Sequence, residues 1–202
     1  MNKCRGRIFI LSGPSGVGKG TLKQRLLCEF AEHLAFSVSA TTRQPRPGEV
    51  EGVDYFYCDR EAFVQKLGCE AFLEHAEYAG NFYGTPKAFV YGLLDRGIDV
   101  ILEIEVQGAR QVMANEPECI SIFILPPSLE ELEERLRNRG TEDEAKIQRR
   151  LSAARKEMSS IDDYDYRILN DDLEKAYPKL REIYLRHAGF MQGCPTATTE
   201  ER

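Results

Sequence analysis

The chain has 202 residues, of which 42% are hydrophobic and 30% are charged, and these values are typical of a soluble globular protein. Its length favours one α/β domain with insertions over two independent domains. The formal net charge of −6 argues against general binding to nucleic acids or membrane surfaces. No apolar run approaches the length of a membrane span.

The cysteines are scattered along the chain and form no C-x-x-C pair. With only three histidines beside them, they show no spacing typical of metal ligands. Because the chain is not a small secreted scaffold, we expect reduced thiols and a cytoplasmic location. The six residues are Cys4, Cys28, Cys58, Cys69, Cys119 and Cys194.

The first predicted elements are a strand over Ile8–Leu11, a glycine-rich loop and a helix that follows Lys19. The glycines let the backbone turn its N–H groups inward, and these groups form a socket for phosphate oxygens at the positive helix end. Lys19 adds a positive charge for the β and γ phosphates of a nucleotide. The loop departs from the usual G-x-x-x-x-G-K-[ST] pattern at Gly20. Its residues are Gly13, Pro14, Ser15, Gly16, Val17, Gly18, Lys19, Gly20 and Thr21.

The next stretch, at about 37–85, mixes short strands and turns and interrupts the alternation of strand and helix. A second strand is predicted over Phe36–Ala40, and Thr41–Gly52 forms a loop that carries Arg43 and Arg46. The stretch therefore has the character of an insertion. Its other predicted elements are a strand over Asp54–Tyr57, a helix over Arg60–Gly68, a strand over Ala71–Tyr78 and a turn at Gly80 and Asn81.

The alternation then resumes, which predicts a mostly parallel sheet covered by helices on both faces. Ligands bind such sheets at the carboxyl ends of the strands, where the phosphate loop, Glu103 and Glu105 all fall. Asn170 or Asp171 is predicted to cap the last helix, and Ala188–Arg202 to form a loose tail. The strands are predicted over Val100–Ile104, Ser121–Leu125 and Arg167–Leu169. Two helices are predicted over Pro86–Arg96 and Gln107–Asn115. A third helix is predicted after the capping box of Ser128 and Glu131, and a fourth has Ile147, Leu151, Ala154 and Met158 along one side.

Transfer of a phosphoryl group between nucleotides brings two anionic phosphates together, so cations are needed at both. Arg43 and Arg46 are candidates for the acceptor, because guanidinium stays charged and grips phosphate bidentately. Glu74 is a candidate for guanine, whose N1–H and N2–H₂ donors a carboxylate can accept together. From the residues alone, a surface glutamate in a strand is an equally good interpretation of Glu74. The candidates for cations that cover the phosphoryl group during its transfer are Arg135, Arg139 and Arg150.

The chain resembles the guanylate kinases, which phosphorylate GMP to GDP with Mg-ATP, over about residues 6–187. The resemblance implies a three-layer P-loop fold: a core of 1–37, 87–126 and 158–202, a GMP-binding α+β insertion at 38–86, and a helical lid at 127–157. Seven segments carry it in the family's order: SGPSGVGK (12–19), FSVSATTRQPRPGEV (36–50), GNFYGT (80–85), IEVQG (104–108), FILPPS (123–128), RNRGT (137–141) and ILNDD (168–172).

The resemblance also implies roles for individual residues. Lys19 and its loop would bind the ATP phosphates, and Lys19, Arg43, Arg139 and Arg150 would be the catalytic set. Arg135 and Arg139 would close over ATP as part of the lid. The ligands implied for GMP are Arg43, Arg46, Tyr55 and Tyr83 at its phosphate, Ser39, Glu74 and Thr85 at guanine, and Glu105 and Arg150 nearby. The partners implied are the small molecules GMP and ATP, with no nucleic acid and no membrane.

Two departures from the family pattern concern Mg²⁺. Gly20 replaces the usual serine, and the Lys-Gly-Thr order resembles that of adenylate kinases. Glu103 and Glu105 stand where the family usually has an Asp-x-Asp pair. The metal is therefore expected near Thr21 or Glu103, with no side chain assigned firmly as its ligand.

Two alternative functions remain. One is another nucleoside monophosphate kinase, such as one acting on AMP, against which Arg43, Arg46 and Glu74 argue. The other is a non-catalytic guanylate-kinase-like domain that binds proteins. Such domains lose the phosphate loop, whereas this chain retains it.

Overall fold

The computed structural model describes residues 4–78, 80–138 and 144–191. Within these ranges the strands and helices alternate over most of the chain, and a one-turn 3₁₀ helix lies at Ile161–Asp163. In chain order they are β1 (Ile8–Ser12), α1 (Lys19–Glu29), β2 (Leu34–Phe36), β3 (Ala40–Thr41), β4 (Phe56–Tyr57), α2 (Arg60–Gly68), β5 (Phe72–Tyr78), β6 (Asn81–Pro86), α3 (Lys87–Leu94), β7 (Asp99–Glu103), α4 (Val106–Asn115), β8 (Ile120–Leu125), α5 (Leu129–Asn138), α6 (Glu144–Met158), β9 (Tyr166–Leu169) and α7 (Leu173–His187).

The main sheet has the strand order β2-β7-β1-β8-β9, and all its neighbouring strands are parallel. Its central strands are buried on both faces, as their continuous apolar sequences require. Alternate residues of β1 face opposite sides: Phe9 and Leu11 pack with α1 and α7, whereas Ile8 and Ile10 pack with α3 and α4. The predicted parallel sheet covered on both faces is confirmed.

A second sheet, built from residues between 40 and 86, has the order β4-β3-β6-β5. In it β3 runs parallel to β4, and β6 runs antiparallel to both β3 and β5. Its small core centres on Phe63 of α2, whose ring stacks on Phe72 at 4.4 Å and on Phe82 at 5.3 Å between centroids. This sheet therefore has an apolar core of its own.

Helices α5 and α6 form a third cluster, in which Leu132 and Leu136 pack against Ile147, Leu151 and Ala154. The predicted cap at the start of α5 is present, since the backbone N–H of Glu131 donates to Ser128 Oγ at 3.1 Å. The described residues include no helix that is both long and apolar enough to cross a membrane.

One predicted strand and one predicted helix cap differ from the structure. Phe36–Ala40 is not one strand, because Leu34–Phe36 pairs with β7 of the main sheet and Ala40–Thr41 pairs with β4 and β6 of the second. The chain crosses between the two sheets inside the predicted strand. The cap of α7 is neither Asn170 nor Asp171 but Asp172, whose carboxylate accepts the N–H of Glu174.

The predicted loose tail is wrong for its first residues. Ala188 is fully buried, and the N–H of Gly189 donates to the carboxylate of Asp99 at 3.1 Å. The ring of Phe190 stacks on His33 at 4.2 Å between centroids. These contacts attach the segment after α7 to the main sheet, and residues from 192 onward lie outside the described ranges.

Candidate active site

The glycine-rich loop joins the carboxyl end of β1 to the first turn of α1. Gly13 and Gly18 have φ angles of 135° and 96°, which residues with a Cβ rarely adopt. A Cβ on Gly13 would lie 2.3 Å from the carbonyl oxygen of Ile124, and one on Gly18 would lie 2.5 Å from Nδ2 of Asn170. The loop therefore needs glycine at both positions for conformation and for space.

The start of α1 has the features of an anion site. Gly18 is its N-cap and offers no side chain to the free N–H groups of the first turn, which contains no acidic residue. Lys19 Nζ donates to the carbonyl oxygens of Gly13 at 2.5 Å and Pro14 at 3.0 Å. Burial lowers the pKa of Lys19, and nearby carboxylates, Glu103 first, raise it in part. The amine is thus held against the loop, where it can exchange a carbonyl for a phosphate.

Two clefts open at the carboxyl ends of the strands. The phosphate-loop cleft has a volume of about 600 Å³, and the Glu74 cleft has a volume of about 340 Å³. Tyr55, Glu103, Ile104 and Glu105 line both of them, so the clefts share a wall. The phosphate-loop cleft is further lined by Gly13, Ser15, Lys19, Lys23 and Glu157, and the Glu74 cleft by Ser39, Glu74, Tyr83, Gln107 and Gly108.

Glu74 is a buried carboxylate that faces the second of these clefts. Only 7% of the residue is exposed, and Thr85 Oγ1 donates to its Oε1 at 2.6 Å. Burial raises the pKa of Glu74, the hydrogen bonds from Thr85 lower it, and the charge of Glu105 raises it. The structure thus brings Glu74 and Ser39 to one cleft, bonds the buried Thr85 to Glu74, and excludes the surface interpretation of Glu74.

Arg43 lies in a network organised by Glu49. Its Nη2 donates to Glu49 Oε1 at 2.8 Å and to Oε2 at 2.9 Å, and Oε2 also accepts the O–H of Tyr57 and the backbone N–H of Arg46. The hydrogen bond from Arg43 is the main reason why the pKa of Glu49 falls to about 2. Sequence reasoning assigned no role to Glu49 or Tyr57. The nearest signal was the position of Glu49 inside the segment that carries Arg43 and Arg46.

The other predicted phosphate ligands lie around this network. The Arg43 guanidinium is 5.3 Å from the centre of the Tyr55 ring, and the rings of Tyr55 and Tyr83 are 6.0 Å apart between centroids. Tyr55 and Tyr83 both line the Glu74 cleft. The Arg46 side chain is exposed, and its backbone alone is bonded to Glu49. The structure therefore gathers Arg43, Tyr55 and Tyr83 and leaves Arg46 at the surface beside them.

Arg135, predicted to belong to a lid, is bonded to the core. Its Nη1 donates to the carbonyl oxygen of Asn170 at 3.0 Å and its Nη2 to Glu131 at 2.9 Å. The Asn170 amide in turn donates to the carbonyl oxygen of Val17 in the phosphate loop at 2.7 Å. Arg135 is therefore connected to the phosphate loop through one residue. Arg150 is half-buried on α6, and Arg139 lies outside the described residues.

The charged residues of the phosphate-loop cleft that sequence reasoning missed include Lys23 and Glu157. Lys23 follows Lys19 by one helical turn, and Glu157 lies in the last turn of α6. Burial raises the pKa of Glu157 to about 7, Lys19 lowers it, and Glu105 raises it. Both residues are charged positions of amphipathic helices, which the sequence pattern does not distinguish from solvated surface.

Comparison with known proteins gives a consistent result. A family model described as guanylate kinase matches residues 5–187. A guanylate kinase of Synechococcus sp. (strain JA-3-3Ab) is 55% identical over 179 residues, which cover 89% of this chain and 82% of that protein. A guanylate kinase of Streptococcus thermophilus (strain CNRZ 1066) is 49% identical over 179 residues, covering 89% of this chain and 86% of that protein.

A solved structure agrees with these relatives. The crystal structure of guanylate kinase from Anaplasma phagocytophilum matches with a TM-score of 0.70 and 36% identity. The match covers 93% of this chain and 89% of that one. The likeness thus extends across both sheets and the helices that pack on them.

Proposed function

The chain belongs to the guanylate kinase family, and we propose how its two clefts divide the reaction of that family between them. It transfers the γ-phosphoryl group of ATP to GMP and yields ADP and GDP. The observation that supports our assignment of sites is the wall of Tyr55, Glu103, Ile104 and Glu105 that the clefts share. Because the clefts adjoin, a phosphate bound in one can reach a phosphate bound in the other.

We assign the phosphates of ATP to the phosphate-loop cleft. The N–H groups at the start of α1 would face them, and Lys19 would exchange a loop carbonyl for a β or γ oxygen. These groups are held in place before the reaction begins, so they stabilise the charge of the transferring group at little cost of reorganisation.

We assign GMP to the Glu74 cleft. Glu74 Oε1 is bonded to Thr85, so its second oxygen and the remaining lone pairs are available for the N1–H and N2–H₂ donors of guanine. Adenine lacks this donor pair. The GMP phosphate then lies toward Arg43, Tyr55 and Tyr83, with Arg46 close by.

We further propose that residues 38–86 bind GMP and that 127–157 act as a lid over ATP. Arg135, Arg139 and Arg150 would bring positive charge to the transferring group. No side chain has to act as a nucleophile, since an oxygen of the GMP phosphate attacks the γ-phosphorus and ADP departs. Closure of the lid would exclude water, which otherwise competes with GMP as the acceptor.

Mg²⁺ is the cofactor that we propose with ATP. Gly20 offers no ligand, and among the described residues no cluster of three or more histidine, cysteine or acidic side chains could hold a metal. A site with few side-chain ligands fits Mg²⁺, which proteins usually bind through substrate phosphates and waters together with one or two carboxylates. Glu103 and Glu105 supply such carboxylates beside Lys19, whereas Thr21 is exposed on α1. When bound, the metal would neutralise phosphate charge.

The small molecules GMP and ATP are the partners that we propose, with no nucleic acid or membrane among them. We also propose a cytoplasmic location. It is supported by the five cysteines in the described ranges, none of which is joined in a disulfide there, and Cys194 lies outside these ranges.

A coupled assay of ADP formation tests the assignment. We expect turnover with ATP and GMP, and little with ATP and AMP, CMP or UMP. Faster phosphorylation of AMP than of GMP would contradict the role of Glu74. A lack of ATP binding in calorimetry would favour the non-catalytic alternative.

A further inference from the structure

Strand β5, which carries Glu74, is an irregular strand at the edge of the second sheet. It pairs with β6 through Phe72 and Pro86 and through His75 and Gly84. From one pair to the next, β5 advances by three residues and β6 by only two, and Glu74 lies within this shift in register. A bulge of this kind bends the strand and re-aims a side chain, and it also weakens the regular hydrogen bonding around it. Glu74 therefore needs support from outside its own sheet.

Gln111 of α4 supplies hydrogen bonds at this point. Its Nε2 donates to the carbonyl oxygen of His75 at 3.0 Å, and its Oε1 accepts the N–H of His75 at 3.1 Å. One side-chain amide thus satisfies both backbone groups of the residue that follows Glu74, as a neighbouring strand would. Because α4 packs on the main sheet, these bonds join the two sheets.

Gly108, one turn earlier on α4, faces Glu74 itself. A Cβ at position 108 would lie only 2.8 Å from Glu74 Oε2, so the carboxylate packs directly against the helix. Positions 108 and 111 are three residues apart and lie on the same side of the helix. Helix α4 therefore gives the carboxylate its space through Gly108 and holds the adjacent backbone through Gln111.

We propose that Gln111 is a positioning residue for guanine recognition, acting on Glu74 through the backbone of His75. The inference rests on the proposed role of Glu74 as the guanine contact. A carboxylate that accepts two adjacent donors must be held to within about 0.5 Å, which a bulged edge strand alone does not ensure. Gln111 supplies that restraint without entering the cleft.

Gln111→Leu tests the proposal because it removes both hydrogen bonds and keeps a side chain of similar size. We expect the KM for GMP to rise about tenfold, with kcat and the KM for ATP within about twofold of wild type. The preference for GMP over inosine monophosphate, which lacks the 2-amino group, should fall as well. A purely structural role would not alter this preference.

Gln24→Leu is the matched control. Gln24 lies on α1. Within the described part of the chain, its amide bonds only to the sulfur of Cys28, one helical turn away. The same substitution there should leave both KM values and the nucleotide preference unchanged. Gln111→Ala serves as a second variant if leucine disturbs folding, because alanine is the best helix former.

Glu74→Gln in the same assay separates the proposed guanine site from the positioning role of Gln111. If Glu74→Gln leaves the preference for GMP over inosine monophosphate intact, the proposed guanine site is wrong. If Glu74→Gln lowers the preference and the Gln111 variants do not, the positioning role alone is wrong. A parallel rise in both KM values, with a lower kcat, would also overturn that role.

Discussion

Lys23 Nζ lies 2.8 Å from Glu103 Oε2, where both residues line the phosphate-loop cleft. The same ammonium group lies 3.6 Å from the centre of the Phe36 ring, and the side chains of both Lys23 and Glu103 are largely shielded from solvent. Glu103 stands where the family usually has an aspartate. Its carboxylate in this chain is neutralised by a lysine one helical turn beyond Lys19.

Lys23→Met should therefore weaken ATP binding. It leaves the Glu103 carboxylate without its counterion in the cleft that we assign to the ATP phosphates, and we expect the KM for ATP to rise about tenfold. Steady-state kinetics at saturating GMP measure the effect. The double variant Lys23→Met with Glu103→Gln should recover part of the loss, because Glu105 still offers a carboxylate to Mg²⁺ in the same cleft. A lack of recovery would show that Lys23 acts independently of Glu103.

Lys19→Ala should lower kcat about 10³-fold and leave GMP binding nearly unchanged. The amine is held on the loop carbonyls in the phosphate-loop cleft and is absent from the lining of the Glu74 cleft. Single-turnover kinetics measure the chemical step, and calorimetry with GMP measures the second site. A large loss of GMP affinity would contradict the division of the two clefts.

Glu49→Gln should raise the KM for GMP about fivefold, because Arg43 and Tyr57 lose the carboxylate that holds them. The variant should also be less stable than wild type at neutral pH. The hydrogen bonds to Glu49, that from Arg43 foremost, lower its pKa from 4.5 to about 2, so the stabilisation is present above pH 4.5 and is lost as pH falls toward 2. Urea unfolding at several pH values should show that the difference in the free energy of unfolding between wild type and Glu49→Gln becomes smaller as pH falls from 4.5 toward 2. A constant difference would contradict this role.

Glu157 should make ATP binding depend on pH. Its pKa of about 7 means that it is mostly neutral below pH 6 and mostly charged above pH 8. The charged form repels the phosphates of ATP, so the KM for ATP should rise about three- to tenfold between these values. Glu157→Gln should flatten this rise. The ionisation of ATP affects wild type and Glu157→Gln equally, so the ratio of their KM values for ATP reports the effect of the Glu157 carboxylate alone. A ratio that does not change with pH would contradict the prediction.

Local sequence was sufficient to predict an element when a single segment contained its complete apolar pattern and its cap or loop residues. The helix at Arg60–Gly68 has the predicted bounds, and the strand, glycine loop and helix from Ile8 onward were found from apolar periodicity and the needs of a tight loop. The candidates Arg43 and Glu74 came from residue type and from the order of the family's segments. Hydrophobic pattern shows which face of an element is buried, and that is enough to predict a parallel sheet with ligands at its carboxyl edge.

Only the tertiary structure decided which residues meet across long separations. The bond between Asn170 and Val17, the ion pair of Lys23 with Glu103, and the Gln111 amide on the edge of β5 each join segments far apart in the chain. Periodicity shows that a polar residue lies away from the core but cannot say which group lies opposite it. These contacts depend on how the two sheets and the helices pack together, and that packing forms the two adjoining clefts that we assign to ATP and GMP.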